Sequence, residues 1–249
     1  MNEKSIFPAS RQRRLLDEPD PDCSFCPRLT SFRHSLRATQ PDWHNAPVPV
    51  FGALDARLLV VGLAPGLRGA NRTGRPFTGD FAGDLLYKTL IEYGFATGTY
   101  GAQCNDGLRL VSCAITNAVR CVPPQNKPVP SEINSCRPFL VATIGALPDL
   151  RAIVALGRVA HESVVRAFGL KPAIFPFAHG AVHVLAAIRS GEAAGTRSPE
   201  SEKTITLFDS YHCSRYNTNT GVLTPQMFRD VFAQVRKHLD APETSTIAF

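Results

Sequence analysis

Apolar runs of strand length alternate along the chain with segments whose apolar residues recur at helical spacing. Leu58-Leu59-Val60-Val61 is continuous and branched, as in a parallel strand buried on both faces. Leu110 to Thr116, Ile153 to Gly157 and Ile205 to Phe208 repeat that character, and Phe177 to Leu185 reads as a loop entering a further strand. Helical periodicity marks Phe81 to Leu90, a segment N-capped by Ser131 with Pro138 as a kink point, and Ala160 to Phe168. A last helix starts near Pro225 and puts Phe228, Val231, Phe232 and Val235 on one face. The alternation predicts an α/β fold, a three-layer αβα sandwich around a mostly parallel sheet.

Away from this pattern the chain is polar. Residues 1–22 are basic and predicted to be weakly ordered, Arg189 to Lys203 suits a surface insertion, and residues 240–249 read as a frayed tail. Residues 23–239 are expected to form one domain.

Between the first strand and its helix lies a loop from Gly62 to Asp80 with glycines at 62, 66, 69, 74 and 79. Glycine lets backbone amides approach a ligand that side chains would hold away. Open α/β sheets bind their ligands at this carboxyl end of the strands. The loop lacks the Gly-Lys-Ser/Thr of a Walker motif and the G-x-G-x-x-G of a dinucleotide site. A plainer alternative is a connection with solvated arginines at 68, 72 and 75 and an aspartate, Asp80, that caps the following helix.

A formal charge of +6 favours a polyanionic partner without requiring one. No run approaches the ~20 apolar residues of a membrane span, and Met1 to Lys4 lacks the apolar core of a signal peptide. The expectation is a monomeric, cytoplasmic protein with no membrane contact. Seven cysteines, an odd number, argue against a disulfide framework. Cys23 and Cys26 form C-x-x-C, and Cys121 and Cys136 form a looser pair; four thiolates can hold a [4Fe-4S] cluster or zinc. The wide spacing of the second pair favours the cluster, while Cys113 reads as core.

Gly62 to Gly66, Gly69 to Asp80, and His212-Cys213-Ser214-Arg215-Tyr216-Asn217-Thr218-Asn219-Thr220-Gly221 resemble the two active-site motifs of the uracil-DNA glycosylase superfamily, specifically its fifth family (type B). Cys23, Cys26, Cys121 and Cys136 match the iron-sulfur ligands of families four and five. The resemblance runs from about Cys23 to Val235. It implies a glycosylase fold, a structural [4Fe-4S] cluster, and hydrolysis of the bond between deoxyribose and a deaminated base in DNA: uracil, with hypoxanthine and xanthine as further substrates. One departure is Cys213, where the second motif usually carries proline.

Cleavage of an N-glycosidic bond builds positive charge on the sugar, leaves an anionic base and consumes a water. Asp80, the only acid of the first motif, suits the charge on the sugar and the water. His212 suits the departing oxygen. A base taken out of the duplex needs a stacking face and amides for its edge. Phe77 is the stacking candidate, with Gly62 and Leu63 beside it. Asn117, Asn126, His179 and, less directly, His183 are candidates for the edge. Arg72, Arg75, Ser214, Arg215, Tyr216 and Asn217 are expected to contact DNA, with Arg120 and Lys127 adding phosphate contacts. Competing readings are a nucleotide-processing hydrolase, a non-catalytic DNA-binding module stapled by zinc or a cluster, and an electron-transfer protein.

Overall fold

The computed structural model describes residues 18–186 and 204–242. Its strands are β1 (Phe51–Gly52), β2 (Leu58–Gly62), β3 (Ala96–Thr97), β4 (Arg109–Leu110), β5 (Cys113–Asn117), β6 (Ala152–Leu156), β7 (Val182–Ala186) and β8 (Thr204–Ser210). The helices are α1 (Pro27–Thr39), α2 (Ala70–Thr73), α3 (Phe81–Glu92), α4 (Pro130–Gly145), α5 (Arg158–Ala167), α6 (Arg215–Asn219) and α7 (Pro225–Asp240). Six strands make one sheet in the order β1-β5-β2-β6-β8-β7, and β3 pairs with β4 in a separate ribbon. Neighbours among β5, β2, β6 and β8 run parallel, whereas β1 and β7 are antiparallel edges.

Side chains alternate across the sheet, so β2 feeds both cores. Leu58 and Val60 join Leu86 and Leu90 of α3 and Phe228 and Phe232 of α7. Leu59 and Val61 join Leu140 of α4 and Val164 and Val165 of α5 on the opposite face. Helices therefore cover both faces, and the three-layer αβα sandwich expected from the sequence is the observed fold. Each fully buried Leu or Val contributes about 1.5–3 kcal/mol, which is why these strands tolerate no polar alternation. Among the described residues, no helix is long and apolar enough to cross a membrane.

Local details differ from the sequence reading. The run Leu110 to Thr116 is two strands, because Ser112 takes a left-handed φ of 47° and breaks it. The residue before α4 is Val129, not Ser131: Pro130 fits a first helical position that needs no N–H, and Glu132 accepts the Val129 N–H at 2.8 Å. Part of the glycine-rich loop is itself helical, α2, closed by Gly74 at φ 75°. The expected weak order of residues 1–22 falls, for residues 1–17, outside the described residues, as do the Arg189 to Lys203 insertion and most of the expected tail. Glu18 is anchored, accepting from Val50 N–H at 2.8 Å and pairing with Arg120 at 3.0 Å.

Candidate active site

The carboxyl ends of β2 and β5 lie side by side, with Gly62 paired to Asn117. With the loop after β8 they enclose a cavity of about 510 Å³, lined by Leu63, Phe77, Asp80, Asn117, Asn126 and His212 among others. Asp80 occupies the N-cap position of α3, yet its side chain makes no capping bond. The carboxylate turns instead into the glycine loop. A Cβ on Gly69 would lie 1.9 Å from its Cγ, and one on Gly66 would lie 2.5 Å from Oδ1. Burial pushes the Asp80 pKa up, opposed by the amides of Ala70 and Gly66 and the charge of Arg72. The loop is thus moulded around one half-buried carboxylate, and helix capping does not account for Asp80.

Phe77 is buried at φ 55°. A left-handed aromatic residue costs on the order of 1–3 kcal/mol and persists only where its surroundings hold it. Here Tyr100 donates its hydroxyl to the Phe77 carbonyl at 3.2 Å, and a Cβ on Gly83 would come within 1.9 Å of that oxygen. The Phe77 ring lies 6.0 Å from the His212 ring at 28°. A Cβ on Gly62 would meet Asn117 Oδ1 at 2.4 Å and Phe77 Cζ at 2.5 Å, so glycine lets both side chains close on the cavity. Asn117 is 3% exposed, and its side-chain amide has no protein partner among the described residues. Asn126 is exposed, in a left-handed pair with Gln125 at φ 57° and 56°.

Burial pushes His212 down to about 4, so near neutral pH the ring is uncharged and carries one N–H. Asn217, expected at DNA, holds this loop: its Nδ2 donates to the His212 carbonyl at 2.8 Å. Cys213 is fully buried, with Sγ 3.5 Å from the Ala82 carbonyl in the first turn of α3. That S–H···O contact ties the His212 loop to the helix that follows Asp80, a restraint in place of the proline ring.

Not every expected contact survives. Arg75 is 5% exposed and turned inward: it pairs twice with Asp106, at 2.8 and 2.6 Å, and its guanidinium lies over the Phe51, Tyr87 and Tyr100 rings. Arg120 is likewise buried, held by Glu18, the Val48 carbonyl and Thr143. His179 does not line the cavity; its Nδ1 accepts the Tyr211 N–H at 3.1 Å, and its ring stacks on Tyr211. His183 is drawn to Asp209 instead. Arg72 is half-buried, with Nε on the Arg68 carbonyl at 2.8 Å. Arg215 and Tyr216 are exposed at the cavity mouth beside Ser214, the N-cap of α6, and the Arg215 guanidinium lies 5.2 Å from the Phe81 ring centre. Lys127 is also exposed.

Cys23, Cys26, Cys121 and Cys136 line one small cavity. Arg120 N–H points to Cys136 Sγ at 3.3 Å and the Arg33 guanidinium to Cys121 Sγ at 3.4 Å. Two nitrogen donors aimed at sulfur suit bound thiolates. Arg33, 1% exposed, escaped the sequence reading although it shares the buried face of α1 with Leu29 and Leu36. Cys113 is core, as expected.

A mostly parallel sheet thus carries a half-buried carboxylate and an amide-lined cavity at its carboxyl edge. Residues 49–236 match the uracil DNA glycosylase superfamily. Over 221 residues the chain is 42% identical to the type-5 uracil-DNA glycosylase of Thermus thermophilus, covering 86% of this chain and 93% of that one. It is 41% identical over 224 residues to the type-5 uracil-DNA glycosylase of Mycobacterium tuberculosis, covering 86% of this chain and 77% of the other. A type-4 uracil-DNA glycosylase from Thermotoga maritima is 40% identical over 111 residues, 44% of this chain and 49% of its own. The chain therefore belongs to the uracil DNA glycosylase superfamily, in its type-5 family.

Proposed function

We propose that this chain is a monofunctional DNA glycosylase that hydrolyses the N-glycosidic bond of uracil, hypoxanthine and xanthine in DNA, leaving an abasic site. The observation that carries the reading is Asp80, a carboxylate withdrawn from helix capping and facing the same cavity as Asn117, Phe77 and His212. The base, turned out of the duplex, stacks on Phe77 and meets the Asn117 amide, with Asn126 closing from the opposite loop. Asp80 stabilises the positive charge that develops on the sugar and orients the attacking water. Neutral His212 donates its N–H to the departing base oxygen as charge builds there. Arg215, Tyr216, Arg72 and Lys127 meet the DNA strand.

The same proposal gives Cys23, Cys26, Cys121 and Cys136 to a structural [4Fe-4S] cluster. Supporting it are their shared cavity and the nitrogen donors aimed at two of the sulfurs. When bound, such a cluster cross-links α1, α4 and the loop that carries Asn126.

Single-turnover incubation with oligonucleotides carrying uracil, hypoxanthine or xanthine tests the reading. Alkali-labile abasic sites are expected with the wild type and are lost in Asp80→Ala, while DNA retardation persists in both. Retardation without abasic sites in the wild type would leave the binding-module reading in its place.

A further inference from the structure

A second polar cluster lies buried beneath the end of β8. Asp209 is 0% exposed and His161, on α5, is 1% exposed. His161 presents Nδ1 to Asp209 Oδ1 at 2.8 Å and Nε2 to the Phe175 carbonyl at 2.7 Å. His183 of β7 brings its own Nε2 to Asp209 Oδ2 at 3.3 Å.

A neutral imidazole has one N–H and one lone pair. Both nitrogens of His161 face acceptors, so a neutral ring would set a lone pair against an oxygen inside the protein. A second proton or a metal ion has to fill that position, and a proton shared with Asp209 belongs on the ring, because imidazole is the more basic partner and His183 Nε2 engages the other carboxylate oxygen. The His161, His183 and Asp209 ligand atoms lie within 4.8 Å of one another. A metal, however, would draw nitrogen and oxygen lone pairs to a common point between them. Here His161 Nδ1 lies 2.8 Å from the carboxylate oxygen itself, a hydrogen-bond distance that leaves no room for an ion between them.

We infer that His161 is a buried imidazolium, and that its ion pair with Asp209 is the positioning element that fixes His212. This rests on the role given to His212 above. Asp209 precedes His212 by three residues in the chain. Gly157, whose carbonyl accepts the backbone N–H of His161 at 3.1 Å, donates its own N–H to the Ser210 carbonyl at 2.8 Å, and a Cβ built on it would lie 3.5 Å from His212 Cβ. The start of α5 and the end of β8 are thereby clamped twice, once by backbone and once by charge.

Among the described residues, the titratable and charged groups around the pair are His183 from β7, Arg158 and Glu162 from α5, and His179 and Tyr211 on the flanking loops. Burial alone would lower the His161 pKa, but the hydrogen bond and charge of Asp209 outweigh it and the net shift is upward. The clamp is therefore complete below the ordinary histidine pKa of about 6.5 and is lost as pH rises through the raised value.

Long-range proton–nitrogen NMR on the full chain with labelled histidine reads this directly. Both ring nitrogens of His161 are expected to be protonated at pH 7 and to titrate above the ordinary histidine range, with assignment by His161→Gln. In Asp209→Asn that titration should fall below the wild-type value. In single-turnover excision of uracil, the wild-type rate should drop several-fold as pH rises through the His161 titration, and Asp209→Asn should be slower without that alkaline limb. If His161→Gln does not fold, Asp209→Asn carries both arms. A singly protonated His161 at pH 7 would overturn the proposal, as would one equivalent of zinc lost in His183→Ala. An imidazolium whose titration leaves the rate unchanged would overturn the positioning role. The NMR arm does not depend on the substrate, so failure of the glycosylase reading is separable from failure of this one.

Discussion

Replacing Gly69 with alanine tests the idea that the loop exists to hold one carboxylate. The added Cβ would lie 1.9 Å from Asp80 Cγ and 2.0 Å from each carboxylate oxygen. Carbon and carboxylate need at least 3 Å, so the side chain has to retreat by about 1 Å, the scale of displacement that costs roughly 10²-fold in rate. Expressed as a barrier, that is about 2.7 kcal/mol. The assay is single-turnover release of uracil from an oligonucleotide, with DNA affinity and melting temperature measured in parallel. Gly145→Ala is the control, because a Cβ there has nothing within 4 Å. A loss near 10²-fold with unchanged affinity and a folded protein is expected. A Gly69→Ala enzyme as fast as the Gly145→Ala control would refute the moulded-carboxylate argument.

Burial raises the Asp80 pKa, so the acid limb of the excision rate should have its midpoint above the ordinary aspartate value, with the rate falling as pH drops through it; rates from pH 4 to 8 measure this. The same upward shift means that the ionised form opposes folding above the unfolded pKa, so Asp80→Asn should lose excision yet melt at a higher temperature near pH 7. Asp106→Asn leaves Arg75 buried without its bidentate partner and should cost roughly 3 kcal/mol by denaturant titration; a change within error would mean the pair carries no load. Cys121→Ser should abolish the brown absorbance and lower iron content, whereas full iron loading would exclude Cys121 as a ligand.

The fold was legible because β2 and β6 are buried on both faces, which leaves a continuous apolar run that no helix face would need. The position of Asp80 was legible too, since it is the only acid in its motif; its orientation was not, because an N-cap aspartate reads the same whether or not it caps. Arg72 and Arg75 sit in one motif with the same charge, yet only Arg75 is buried. The difference is Asp106, 31 residues downstream, and nothing local announces such a pairing. Arg120 was misread for the same reason, its partner Glu18 lying in a segment whose composition suggests no order. His161 left no periodic signal beyond falling on the inner side of α5, and its two acceptors come from elements far apart in the chain.

The thiol of Cys213, next to His212 in the chain, makes this loop its own reporter. Cys213 is sealed from solvent, and burial holds its pKa up at about 12, so an alkylating reagent can reach it only when the segment carrying His212 swings out. In a Cys104→Ser background, which removes the exposed thiol, the rate at which position 213 is labelled counts those excursions one by one. A nucleobase seated in the pocket should slow that clock, giving a measure of occupancy that needs no bond to be cut.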